Sequence, residues 1–80
     1  MTEFTYYFIN RPPFIGTHPK ENLAMQKAWS PTKQVGERHF HGWATYTETL
    51  SFEQIWKYEL YPADPDELRA YNEWRDENDK

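Results

Sequence analysis

His39-Phe40-His41-Gly42-Trp43-Ala44-Thr45-Tyr46-Thr47-Glu48-Thr49 runs directly into Leu50-Ser51-Phe52-Glu53-Gln54-Ile55, and this junction joins an extended segment to a helix. Aromatic and β-branched residues dominate the first stretch, which therefore reads as a strand. Strict alternation places Phe40, Gly42, Ala44 and Tyr46 on one face and His41, Trp43, Thr45 and Thr47 on the other. The two small residues in the middle leave room for a helix to cross close to the sheet. The second stretch is a helix start: Ser51 is the N-cap, Gln54 closes a capping box, and Leu50 with Ile55 forms a hydrophobic staple. The helix must stop before Pro62. Its apolar stripe is Phe52, Ile55, Trp56 and Leu60, and Glu53 with Lys57 makes a favourable pair one turn apart.

Upstream, Thr2 to Asn10 is too short for a helix and rich in strand formers, so it predicts a strand. Phe4, Tyr6 and Phe8 fall on one face, Thr5, Tyr7 and Ile9 on the other, and both faces are apolar. Arg11 to Pro19 holds three prolines and a glycine, which favours an extended surface loop. Asn22 to Trp29 reads as a further strand, although Leu23 to Ala28 is also composition that suits a helix. Pro31 and the turn-like stretch Lys33 to Arg38 then link it to the next strand. Downstream, Asp64-Pro65-Asp66-Glu67 starts a second helix, with Asp64 as N-cap and Pro65 at the first helical position. Leu68, Tyr71 and Trp74 lie on one side of it, and Asp76 to Lys80 should fray. The order predicts the α+β class: a small three-stranded antiparallel sheet with a crossing helix and a C-terminal helix. Residues 1–62 form one domain, and 63–80 an acidic helical extension.

Fifteen of the 80 residues are Phe, Tyr or Trp. A chain this short needs such large side chains to build a core, because it buries only about 60–65% of the surface its unfolded form exposes. Cysteine is absent, which excludes disulfides, thiolate metal sites and cysteine nucleophiles. The start MTEFTYYFIN has no basic n-region, and no apolar run approaches a membrane span, so the expected setting is cytoplasmic, away from membranes. Net charge is −4. It is unevenly spread: residues 1–47 carry five basic and three acidic groups, residues 48–80 four basic and ten acidic.

Motifs for catalysis are missing. There is no glycine-rich phosphate loop, no HExxH and no ordered Ser-His-Asp set, so an enzyme is not expected and no cofactor is implied. His39 and His41 sit about 7 Å apart along a strand and could share a metal, with Glu37 and His18 as conceivable further ligands. Two histidines without a defined third ligand make a weak site, and an ordinary pair on a half-exposed face is the default. Arg11, Lys27, Lys33 and Arg38 near Tyr7, Trp29 and Trp43 form a faint version of a single-strand nucleic-acid platform. The overall negative charge speaks against nucleic acid as a partner.

The runs Tyr6-Tyr7-Phe8-Ile9-Asn10-Arg11-Pro12-Pro13, Gly42-Trp43-Ala44-Thr45-Tyr46, Leu50 to Ile55 and Tyr58-Glu59-Leu60 resemble small proteins of Gram-positive bacteria and their mobile elements. These begin with an aromatic strand ending Arg-Pro-Pro and close on a Gly-Trp strand and a helix ending Tyr-Glu-Leu. The resemblance covers about residues 5–62 and leaves out the acidic extension Asp64 to Lys80. It implies the fold and a bacterial setting, and it carries no activity or site residue with it.

Recognition of protein is the function this pattern favours. One helix covers one sheet face, so Tyr7, Ile9, His41 and Trp43 on the other need either the C-terminal helix or a second molecule. The expected role is an interaction or accessory module that pairs with a protein partner or with itself as a homodimer. Single-stranded nucleic-acid binding through the basic aromatic half is the alternative, and a histidine metal site the second. The proline-rich loop 11–19 could also be read as a ligand for an aromatic groove, though stiffness is the commoner reason for such prolines.

Overall fold

A computed structural model describes residues 3–10, 12, 13, 16 and 18–78. Six elements follow one another: β1 (Phe4–Phe8), β2 (Leu23–Val35), β3 (Arg38–Tyr46), α1 (Phe52–Lys57), β4 (Leu60–Pro62) and α2 (Pro65–Asn78). The strands form one antiparallel sheet in the order β2-β3-β1-β4. The α+β class stands, with four strands in place of three.

The extra strand comes from a segment that reads as the end of the first helix. α1 begins as expected, with the Ser51 hydroxyl accepting from the Gln54 backbone and the Gln54 side chain accepting from the Ser51 backbone. It ends after six residues. Tyr58 caps it, and Glu59 takes a left-handed φ of 56°, which turns the chain out of the helix and into extension. Leu60 and Pro62 then face the core while Tyr61 faces away, paired with Phe8, Tyr6 and Tyr7 respectively. Pro62 is admissible because β4 is an edge strand, where a missing N–H need not break a ladder.

β2 is longer than the reading Asn22 to Trp29 allows. It passes through Ser30-Pro31, a cis peptide, to Val35, and a tight turn at Gly36-Glu37 leads into β3. Gly36 has φ 66°, a conformation that glycine adopts without steric cost. Pairing is regular from Gln26↔Ala44 to Ala28↔Gly42, then jumps to Lys33↔Phe40. Four residues, 29–32, therefore bulge out of an edge strand, which is where a proline can be accommodated.

The main core lies on one side of the sheet. Tyr6, Phe8, Ala44, Tyr46, Leu50, Ile55, Leu60 and Tyr71 form it, with Phe4, Leu23, Phe52, Tyr58 and Trp74 at its margin. Both helices approach β4 and do not cross β3 at its small residues. The space over Gly42 is taken by the proline-rich loop: a Cβ there would meet the Lys27 carbonyl oxygen, and Pro13 Cδ at 2.7 Å. Pro13, His18 and Pro19 are buried, so this part of the loop covers the sheet and is not displayed as a ligand. Arg11, Phe14, Ile15 and Thr17 lie outside the described residues. Trp56, read as part of the buried stripe, is 58% exposed. α2 continues through Asp76, Glu77 and Asn78, where fraying was expected, and Asn78 donates to the Trp74 carbonyl. Asp79 and Lys80 lie outside the described residues.

Candidate functional site

α2 packs on the same side of the sheet as α1. Its Tyr71 and Trp74 rings lie 6.0 and 5.9 Å from the Phe52 ring, and Tyr71 belongs to the main core. Glu67 fixes the helix to the strands: Tyr6 Oη donates to its carboxylate at 2.5 Å and accepts from the Leu50 backbone N–H at 3.0 Å. Burial pushes the Tyr6 phenol well above its ordinary range, and Glu67 beside it adds to the effect. Burial likewise raises the Glu67 carboxyl, with Asp64 adding to the shift and the Tyr6 hydroxyl opposing it.

With both helices on one side, the opposite face of the sheet carries a second aromatic cluster. Tyr7 is the cross-strand partner of both Trp43 and Tyr61. The Phe40 ring stacks on Tyr7 at 4.9 Å and meets Tyr61 at 5.2 Å, and Trp29 leans on Tyr7 at 6.2 Å. Simple alternation puts Phe40 on the helix side with Gly42, Ala44 and Tyr46. The structure overturns this: the phase of β3 changes beside Gly42, where the register with β2 jumps, and Phe40 turns to the side of Trp43. Only 1% exposed, Phe40 is the floor of the cluster. Tyr7, Trp29, Trp43 and Tyr61 are half-buried around it, and a cleft of about 210 Å³ opens between Thr5, Tyr7, Trp29, Trp43 and Thr45. Thr5 and Thr45 share a hydroxyl hydrogen bond of 3.1 Å across β1 and β3.

Cations border these rings. Lys33 Nζ lies 5.4 Å from the Trp29 ring centre, and the Arg38 guanidinium 5.5 Å from that of Tyr61. Lys27 is the cross-strand partner of Trp43. Lys27, Lys33 and Arg38 are all exposed.

Of the four residues read as an interaction surface, Tyr7 and Trp43 come together here. Ile9 does not. It follows the end of β1 and lines a cleft of about 880 Å³ at the β4 edge, which Tyr61 and Arg38 share with Leu68 and Tyr71 of α2. His41 is half-buried in β3, and among the described residues no ring contact links it to the cluster. Trp29, read beside Tyr7 and Trp43 in the basic aromatic platform, does join them, and Phe40 and Tyr61 are members that the sequence reading lacks. Strict alternation in β3 hid Phe40, and the helical reading of the segment before Pro62 hid Tyr61; their aromatic side chains were the available signal.

The histidine site does not assemble. Among the described residues no group of three or more His, Asp or Glu could hold a metal ion. His18 is buried on the helix side against Phe8, ring centres 5.4 Å apart, and burial lowers its pKa, opposed by a hydrogen bond with the Gln26 side chain. Among the described residues no helix is long and apolar enough to cross a membrane.

Comparison with curated proteins and with solved structures gave no match. A family model described as Defence against restriction A C-terminal matches residues 1–65, more than three quarters of the 80. That stretch holds all four strands and α1 and stops at the first residue of α2. It spans the whole of the Arg-Pro-Pro, Gly-Trp and Tyr-Glu-Leu pattern, and by it the chain belongs to the Defence against restriction A C-terminal family.

Proposed function

We propose that this chain is a non-enzymatic accessory module in defence against restriction, and that its working surface is the open aromatic face of the sheet. The family description supplies the process. One observation carries the choice of surface: α1 and α2 both pack on one side, which leaves Tyr7, Trp29, Trp43 and Tyr61 half-buried on the other. Four large rings kept partly open around a buried Phe40 make one contiguous aromatic surface on that side. The absence of phosphate-loop and triad motifs in the sequence agrees with a binding role.

Unmodified DNA introduced into a restricting host that expresses the full chain tests the reading. Survival of that DNA should rise over a control without the chain. Trp43→Glu should remove the gain, while Trp56→Glu, an equally drastic change at an exposed position of α1 beside Trp74 and Asn78 of α2, should leave it. Equal protection by the wild type and Trp43→Glu would rule the surface out.

A further inference from the structure

We infer that the occupant of this face is a single-stranded nucleic acid; the inference rests on the reading of the face as the working surface. The charge map carries it. The chain is acidic overall, yet the hairpin 23–46 that builds most of the face holds three cations, Lys27, Lys33 and Arg38, against one carboxylate, Glu37 at its tip. α2, on the other side, holds five carboxylates and two arginines. The hairpin and α2 thus differ in sign, and the rings sit with the positive one. An anion fits it. A second copy of the chain docked through the same face would bring two patches bearing Lys27, Lys33 and Arg38 together, and this like-charge juxtaposition opposes a symmetric dimer.

Among anions, the rings select unpaired nucleotides. Flat π surfaces bind bases by stacking, each worth binding energy whatever the base, while cations beside them follow the phosphates. In a duplex the bases are stacked on one another and present only their edges, so half-exposed rings on an open sheet have nothing to stack against. The row from Trp29 through Tyr7 and Phe40 to Tyr61 has a cation at each end, Lys33 on Trp29 and Arg38 on Tyr61. That arrangement suits a short strand lying along the row, with a base in the cleft between Trp29 and Trp43.

Fluorescence anisotropy of the full chain with a labelled oligothymidylate of about 12 nucleotides, beside a duplex of equal length, tests this. The expected result is binding of the single strand in preference to the duplex, with quenching of tryptophan emission. Three phosphate contacts predict a log–log salt slope of about −2, so a tenfold rise in salt should weaken binding about 100-fold. The double variant Lys33→Gln, Arg38→Gln, both exposed and expected to melt with the wild type, should bind more weakly and with a slope nearer −0.7, the value for one remaining contact. No binding at low salt, equal affinity for duplex, or a concentration-dependent dimer abolished by Trp43→Glu would each overturn the inference. The two failures separate: variants that lose protection in cells while the pure protein ignores oligonucleotides leave the surface standing and remove nucleic acid as its occupant.

Discussion

Tyr6 is the residue whose hydroxyl joins the strands, α1 and α2. Its ring is fully buried, and its hydroxyl serves both the Glu67 carboxylate and the Leu50 backbone. Tyr6→Phe keeps the packing and strips both partners, so it should cost about 1–3 kcal/mol in a urea unfolding experiment. Glu67 gives a pH dependence whose sign is fixed. Its carboxyl is raised above 4.5 mainly by burial, so its contribution to stability is full below about 4.5 and is lost as pH rises through the higher folded value. Glu67→Gln can still accept from Tyr6 and does not titrate; it should flatten that part of the stability curve, and a difference between the two proteins that is constant with pH would refute the assignment. Gly42 and Gly36 make a contrasting pair. A Cβ at Gly42 collides with the Lys27 backbone and Pro13, while one at Gly36 meets nothing within 4 Å. Gly42→Ala should therefore destabilise by about 1–3 kcal/mol through overpacking. Gly36→Ala should cost about 1 kcal/mol for its left-handed φ alone, and thermal melts of the two rank them.

At the scale of elements, α2 is outside the family match beyond its first residue and yet supplies Glu67 and Tyr71 to the main core. A chain ending at residue 63 would leave Tyr6, Phe52 and Leu60 facing solvent where α2 now lies. It should lose its cooperative transition by circular dichroism and aggregate in light scattering; a truncated protein that melts like the full chain would show that the sheet and α1 suffice. The bulge in β2 is the other decisive element. By adding residues 29–32 to one strand, it brings Trp29 over Tyr7 and sets Lys33 opposite Phe40. A period-two reading cannot find such a bulge, because alternation assumes that each residue advances both strands equally. Tyr58 and Glu59 pose the same difficulty. Their composition suits a helix, and only pairing of Leu60 with Phe8 makes extension the better state.

Over the whole molecule, charge and shape divide the sheet into two sides with different tasks. The helical side carries the acidic α2 and is closed by Tyr6, Phe8, Tyr46, Ile55 and Tyr71; the other side is bordered by cations and holds half-buried rings. Local chemistry was sufficient to determine the α+β class, the β1 and β3 faces around Tyr6, Tyr7, Trp43 and Ala44, and the start of α1. Each of these depends on residues close in the chain: a two-residue period, or a cap whose donor and acceptor are three positions apart. The number of strands, the side taken by α2, the turning of Phe40 and the gathering of Trp29, Tyr7, Phe40 and Tyr61 were decided only in the tertiary structure. They depend on pairings between segments far apart in sequence, Tyr7 with Tyr61 and Tyr6 with Glu67, and the free energy that selects such pairings comes from surface buried jointly by both partners, which neither segment carries alone.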